Sequence, residues 1–454
     1  MKLDLANKKV SVVGLARSGM AAVGLLKKSG ADVFASDFKS IAPEELKELD
    51  GMGVAHETGG HTEKLLDSQM IVISPGVRAD IPILQRAARM GIEVIGEIEL
   101  AYRAIESRII AVTGTNGKST TVSMIGSILK NAGKDVHIGG NLAPGRPLCQ
   151  LAGETRPDSI IVAEVSTFQI ETIKTFKPYI GVVTNISPDH LDRHPDFESY
   201  ARLKGELLKN QDETDHSVLN LDDLNVQKYC SGYRGSRLGF SLIDPVEKGS
   251  WWDGRSLYLA QDKKSRKILD TAELKIPGKH NISNALAAIA AASVLDVPSS
   301  SLASGLASFR GVPHRLEEVA TVKGIRYINN SMCTNNDAGI SSLRAFDVPL
   351  VVIAGGKEKG TDLSGFVAEI SQRARAAVLI GEARERLKAE LDSLGFSRVV
   401  LAGNMSDAVK LASQQANAGD AVILAPGCAS FDMFRDFEDR GEQFKQAVHN
   451  LGGG

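Results

Sequence analysis

The sequence predicts an α/β protein in which three domains each surround a mostly parallel sheet. Three observations lead there. Short apolar runs alternate with helix-period segments along the whole chain, the pattern of repeated strand–helix units. The intervening turns collect glycine where strands end, at the sheet edge that binds ligands in open α/β folds. And 454 residues exceed what one core can organise.

The elements follow in order. Lys9–Val13 (KVSVV) reads as a strand, 14–19 (GLARSG) as a turn, and a helix then runs to about Lys28. A second strand, Asp32–Ala35, leads to Asp37. This is a Rossmann-like βαβ unit with Ala16 where a dinucleotide fingerprint has its middle glycine, which leaves open another diphosphate such as a nucleotide sugar. A third strand, Met70–Ile73, stops at Ser74-Pro75-Gly76 on the same sheet edge. Glu97–Ala104 reads as a linking helix, which sets a first domain of 1–96.

The second domain, 97–311, opens on a P-loop-like signal. The apolar run Ile109–Val112 ends in Gly114-Thr115-Asn116-Gly117-Lys118-Ser119-Thr120, and a helix-period segment follows to Gly133. Strand, glycine turn and helix N-terminus together make an anion site. Backbone N–H groups face phosphate, Lys118 supplies charge, and the hydroxyl of Ser119 or Thr120 suits Mg²⁺. The spacing is contracted, because a full P-loop would place glycine where Val112 stands. Glycines serving chain reversal alone would not explain the adjacent Lys-Ser-Thr at the helix start.

Ser159–Val165 then delivers Glu164 and Ser166, and Gly181–Thr184 ends in 185–194 (NISPDHLDRH), which contains His190. A carboxylate and an imidazole at neighbouring strand ends suit a second Mg²⁺ contact, although His190 alone reads as a loop histidine. Tyr200–Lys209 reads as helical, and Lys204 carries no signal of its own. Gly278-Lys279-His280-Asn281 precedes an alanine-rich helix. Asn281 and Asn284 share one face there, suited either to amide recognition of a base or to N-capping by Asn281.

The third domain, 312–454, is again a βα alternation, with strands at Leu350–Ala354, Ala377–Ile380, Val399–Ala402 and Ala421–Leu424. Its turns hold 355–360 (GGKEKG) and 426–430 (PGCAS), and Phe431 to Phe437 read as a helix with core-facing aromatics. Hinge motion is expected near 96 and 312.

Composition excludes several classes. The formal net charge is −2, so no excess points to nucleic acid or to a membrane surface. The apolar tract Ala285–Leu295 is too short to span a bilayer. MKLDLANKK lacks a secretory h-region. Cys149, Cys230, Cys333 and Cys428 form no CxxC pair, which suits reduced thiols rather than zinc. A cytoplasmic monomer without membrane insertion is expected.

The motifs together resemble the Mur ligases, ATP-dependent amide-forming enzymes of peptidoglycan precursor synthesis. The resemblance spans the chain: GLARSG at 14–19, SPG at 74–76, GEIEL at 96–100, GTNGKST at 114–120, EVSTFQI at 164–170, NISPDHLDRH at 185–194, GKHNISN at 278–284, VPHRLE at 312–317, GGKEKG at 355–360 and PGCASFDMFRDFEDRG at 426–441. The EVSTFQI, SPDHLDRH and CASFDMF blocks, with the N-terminal GLARSG domain, point to the branch that adds D-glutamate to UDP-N-acetylmuramoyl-L-alanine.

The resemblance implies a mechanism and a set of sites. ATP phosphorylates the acceptor carboxylate, and the amine attacks the acyl phosphate through a tetrahedral intermediate. Gly114 to Thr120 would hold the phosphates, with Mg²⁺ at two sites on Ser119, Glu164, His190 and a carbamylated Lys204. Asn281, Asn284, Arg315 and Asn330 would contact ATP. Arg17, Ser18, Asp37 and Gly76 would hold the UDP portion, and Asn141, Ser166 and His190 the muramoyl end. Thr334, Lys359, Ser430 and Phe437 would bind the incoming glutamate.

One block departs from the family. Where Asn-Asp-Ser-Lys-Ala-Thr-Asn is usual, this chain has Asn329-Asn330-Ser331-Met332-Cys333-Thr334-Asn335. Asn330 can still hydrogen-bond a ribose hydroxyl, but Met332 cannot replace a cation. Either another cation such as Lys357 compensates, or the added amino acid differs, for example L-glutamate. A polyglutamate synthase-like ligase leaves the first domain unexplained, since a folate enzyme needs no UDP site. A regulatory ATPase would hydrolyse ATP regardless of acceptor. An NAD-dependent oxidoreductase would leave the P-loop without a purpose.

Overall fold

The computed structural model describes residues 3–142, 145–189, 193–261, 264–276, 278–357 and 362–452, the Asp337 side chain aside. His190 and Lys359 lie outside the described residues. The chain forms two compact units, Met1–Phe309 and Arg310–Gly454.

The first unit contains two sheets. In the N-terminal one the strands lie in the order Ala55–Thr58, Asp32–Asp37, Lys9–Val13, Met70–Ile73 and Glu93–Gly96, all parallel. Lys9–Val13 is central and buried beyond its first residue, which is why it reads as an apolar run. The chain leaves it to one side and returns on the other. The strand ends at Val13, Asp37 and Ile73 therefore open a crevice at a topological switch point. Gly14 turns there at φ +86, where a Cβ would stand 2.7 Å from Val77.

The second sheet runs Lys264–Asp270, Ser256–Gln261, Gly249–Trp252, Ser236–Ser241, His216–Asn220, Ile180–Val183, Arg108–Thr113, Ile160–Glu164 and Val136–Gly140. Its pairs are parallel except for the two joining the last hairpin strands, at the Lys264–Asp270 edge. Arg108–Thr113 lies between Ile180–Val183 and Ile160–Glu164. The turn that leaves Thr113 is thus flanked by Glu164 on one side and Thr184 on the other. One apolar cluster joins Val10, Val12 and Leu26 of the first sheet layer to Ile109, Ala111 and Ile161 of the second, through Ile98 and Leu100 of the helix Glu97–Ala104. The linking helix is therefore a shared core element, not an exposed tether.

The second unit has the strand order Glu317–Val322, Ile325–Asn329, Ala421–Leu424, Leu350–Gly355, Ala374–Ile380 and Val399–Leu401. All of its pairs are parallel save that of the first two strands. Three sequence expectations need correction. Residues 431–436 are turns, and the helix starts only at Phe437, running to Gly452. The Asp436 carboxylate accepts the Asp439 N–H at 2.7 Å and so fixes the helix start there. Phe431, expected in the core, is 64% exposed, while Phe434 is buried. In the first unit, Asn281 is not an N-cap. The helix Lys279–Ser293 begins after Gly278, at φ 105 and without a side-chain cap bond, so Asn281 already lies in the first turn.

Candidate active site

The turn after Thr113 is built by close approach. Gly117 (φ +81) is the N-cap of the helix Lys118–Asn131, and a Cβ there would lie 2.3 Å from Asn284 Oδ1. At Gly114 a Cβ would lie 1.9 Å from Thr184 Oγ1. Only glycine fits either position. The flanking segment braces the turn: Thr115 N–H donates to Asn185 O and Asn116 N–H to Asn185 Oδ1, each at 2.9 Å. Thr184 Oγ1 donates to Asn116 O at 2.7 Å. A turn so anchored holds its shape before any anion arrives.

Three charged groups face it. Lys118 Nζ folds back onto Gly114 O at 2.9 Å and Thr115 O at 2.7 Å. Ser119 Oγ donates to Glu164 Oε2 at 2.6 Å, and Asn141 Nδ2 donates to Glu164 Oε1 at 3.2 Å. Ser119 and Glu164 are both buried. A hydroxyl and a carboxylate form a hard-oxygen pair of the kind Mg²⁺ takes. Lys204, at 2% exposure, donates to Gly114 O at 2.9 Å and sits 4.5 Å from the Tyr200 ring centre. Burial, and then the nearby charge of Lys118, bring its ammonium down from 10.5 to about 7, with Asp189 pulling the other way. Tyr200 joins the turn as well, its hydroxyl 3.1 Å from Thr115 Oγ1. It was not singled out in the sequence, although its spacing four residues before Lys204 puts both on one helix face.

The remaining expected residues divide. Asn284 is buried. It accepts from Thr121 Oγ1 at 3.3 Å and donates to Asn281 Oδ1 at 3.4 Å, which ties the alanine-rich helix to the turn's own helix. Ser166 forms a capping box with Gln169 for the short helix Thr167–Ile170. At the N-terminal sheet edge the Asp37 carboxylate accepts the N–H groups of Leu15 at 2.6 Å and Lys39 at 2.8 Å. It lines a cleft of about 710 Å³ with Gly14, Gly76, Phe38, His61 and Arg78. Arg17 and Ser18 do not line this cleft, and Arg17 instead donates to Leu142 O at 3.2 Å.

In the second unit, Thr334 and Ser430 follow the adjacent strands Ile325–Asn329 and Ala421–Leu424, and Phe437 begins the last helix. Arg315 is exposed. Asn330 is buried with both ends of its amide engaged: Oδ1 accepts the Leu316 N–H and Nδ2 donates to Ser342 Oγ.

A glycine turn between strand and helix, with a lysine and a serine–carboxylate pair, has the makeup of enzymes that handle nucleoside triphosphates. Comparison with known proteins narrows the class. Residues 8–96 match the Mur ligase MurD-like N-terminal domain, 112–292 the Mur ligase middle domain, and 314–428 the Mur ligase glutamate ligase domain. The chain is 43% identical to UDP-N-acetylmuramoylalanine–D-glutamate ligase of Pelotomaculum thermopropionicum, over 99% of both chains. It is 41% identical to the enzyme of that name from Koribacter versatilis, again over 99% of both. In fold it is similar to UDP-N-acetylmuramate-alanine ligase MurC of Thermotoga maritima, with a TM-score of 0.57 and 19% identity over 98% of this chain and 100% of that one. The chain belongs to the Mur ligase family.

Proposed function

We propose that this Mur ligase adds D-glutamate to UDP-N-acetylmuramoyl-L-alanine, converting ATP to ADP and phosphate during peptidoglycan precursor synthesis. Full-length similarity to enzymes named for that reaction carries the reading. The residues allotted to each substrate follow the domain division 1–96, 97–311 and 312–454. A polyglutamate synthase-like activity is not favoured, because 8–96 matches a MurD-like N-terminal domain. The protein acts as a cytoplasmic monomer.

The chemistry requires two anions, the γ-phosphate and a carboxylate, to meet. Gly114 to Thr120 cradle the phosphates, and Lys118 leaves its carbonyl contacts to neutralise them. Asn281, Asn284, Arg315 and Asn330 contact the nucleoside. Ser119 and Glu164 hold Mg²⁺, and His190 and Lys204 support a second ion. Bound there, Mg²⁺ supplies charge neutralisation for the transferring phosphoryl group. Asp37 and Gly76 take the UDP end within the cleft, with Arg17 and Ser18 at the adjoining helix start, and Asn141 and Ser166 take the muramoyl end. Thr334, Lys359, Ser430 and Phe437 orient glutamate so that its amine reaches the acyl phosphate.

Lys204 works as a carbamate: its neutral amine adds CO₂, forming an N–C bond and releasing one proton. The depressed value near 7 supports this, since the neutral amine is then abundant at physiological pH. Lys204→Ala should nearly abolish turnover and recover in part with added short carboxylic acids. The reading as a whole is tested by ADP release with D-glutamate, L-glutamate, D-aspartate and L-lysine. Release is expected with D-glutamate and only when acceptor is present. Acceptor-independent hydrolysis would indicate a regulatory ATPase instead.

A further inference from the structure

Among the described residues Arg440 is the largest fully buried side chain, at 0% exposure. Among the described residues its four hydrogen bonds all go to uncharged oxygens. Nε donates to Ser331 Oγ at 3.0 Å, Nη2 to Ser331 O at 2.8 Å, and Nη1 to Cys428 O at 3.1 Å and Ala429 O at 3.2 Å. A Cβ on Gly356 would stand 3.2 Å from Nη1, so a third loop also rests against the guanidinium. Burial brings its value down to about 10, which leaves it a cation at neutral pH. Asp432 attracts it, but that carboxylate spends one oxygen on the Glu382 N–H at 2.9 Å, and no ion pair with Arg440 forms among the described residues.

The placement is specific. Ser331, Gly356 and Cys428–Ala429 follow the carboxyl ends of Ile325–Asn329, Leu350–Gly355 and Ala421–Leu424, the three adjacent strands at the middle of this sheet. That edge is where open α/β sheets bind ligands. A cation buried without an ion pair is costly, and a purely structural clamp could use a neutral amide. Charge at this depth is of use to an anion arriving at the edge above it.

We propose that Arg440 is the positioning residue of the amino-acid subsite, clamping the three loops that form it and supplying from beneath the positive field that selects a dicarboxylate. The inference rests on the reading of this edge as the subsite for the incoming amino acid. Arg440 touches no substrate. It turns the Cys428, Ala429 and Ser331 carbonyls inward, fixing the peptide planes that lead into Ser430 and Met332.

Steady-state kinetics of the full-length enzyme with each of its three substrates varied test this. Arg440→Met should raise the glutamate KM about 30-fold or more while leaving the KM for ATP and for acceptor within about twofold. It should also reduce the preference for glutamate over glutamine. Arg440→Lys, which keeps the charge but fewer donors, should retain that preference and raise the glutamate KM only about three- to tenfold. Equal changes in all three KM values, or an unaltered glutamate-to-glutamine preference in Arg440→Met, would overturn the proposal. The Met variant leaves several buried oxygens without donors and is at risk of not folding. In that event an unchanged glutamate KM in Arg440→Lys overturns it. Ser430→Ala separates the two layers. If it also leaves glutamate kinetics untouched, the subsite itself is misplaced. If it raises the glutamate KM while the Arg440 variants do not, only the role of Arg440 fails.

Discussion

Lys118 and Lys204 donate to the same carbonyl oxygen, that of Gly114, each at 2.9 Å. An arriving polyphosphate would draw Lys118 off this shared acceptor, while Lys204, brought down to about 7, would stay beneath the turn. Binding of a non-hydrolysable ATP analogue should therefore stabilise the fold by roughly 2.7 kcal/mol at a hundredfold excess over Kd, and raise the melting temperature accordingly. In Lys118→Ala this gain should largely vanish along with turnover. Calorimetry with and without the analogue checks both.

Lys204 couples stability to pH. Its folded value of about 7 lies below the ordinary 10.5, so between those values the unfolded chain binds more protons and stability rises with pH. The gap corresponds to roughly 5 kcal/mol. In CO₂-free buffer, Lys204→Met should flatten this slope and be the more stable protein at pH 7 while losing turnover. Chemical denaturation at pH 7 and pH 10 reads the effect.

Glu97 behaves in the opposite sense. It is fully buried, accepts the Cys149 N–H at 2.7 Å through Oε1, and has no partner for Oε2 among the described residues. Burial raises its value from 4.5 to about 7. Its contribution is whole below pH 4.5 and is lost as pH rises through 7, over a range worth roughly 3 kcal/mol. Glu97→Gln keeps an acceptor for Cys149 and cannot ionise, so the pH dependence of unfolding between 4.5 and 7 should shrink by that amount. An unchanged slope would mean that Glu97 stays ionised.

The Ser119–Glu164 pair should govern the metal requirement. Glu164→Gln and Ser119→Ala are each expected to raise the Mg²⁺ concentration for half-maximal activity by about tenfold or more, with the glutamate KM little changed. Activity titrated with MgCl₂ at saturating substrates reads this directly.

The family resemblance read from the sequence implies a cation where Met332 stands, and exposed Lys357 is the candidate to replace it, its N–H donating to Ala429 O at 2.9 Å. Lys357→Met should lower kcat by about tenfold or more if it does, and adding Met332→Lys to that variant should restore much of the loss. Rescue without specificity change would exclude a different amino-acid substrate as the reason for Met332.

Local chemistry made most of the elements legible. Lys9–Val13, Met70–Ile73, Glu97–Ala104 and Ala421–Leu424 stand where their apolar runs placed them, because buried parallel strands and amphipathic helices leave that pattern directly. The glycine turn was legible for the same reason, and its packing partners Thr184 and Asn284 were not. Such contacts join residues distant in sequence. The helix assigned to 431–436 failed because phenylalanines three apart mimic a helical face, while Asp436 resets the helix start. Lys204 and Arg440 look like ordinary surface cations in composition. Their perturbed values come wholly from burial and neighbours, which no single stretch encodes.

Gly117 and Asn284 make a final point. The space a methyl group would need at 117 is already filled by the amide of Asn284, on a helix more than a hundred and sixty positions downstream. Drift at 117 is thus barred twice, by that amide and by a backbone at φ +81. Shrinking 284 would clear the space at 117 but not the left-handed backbone there, so 117 should stay glycine across a deep family tree whatever stands at 284.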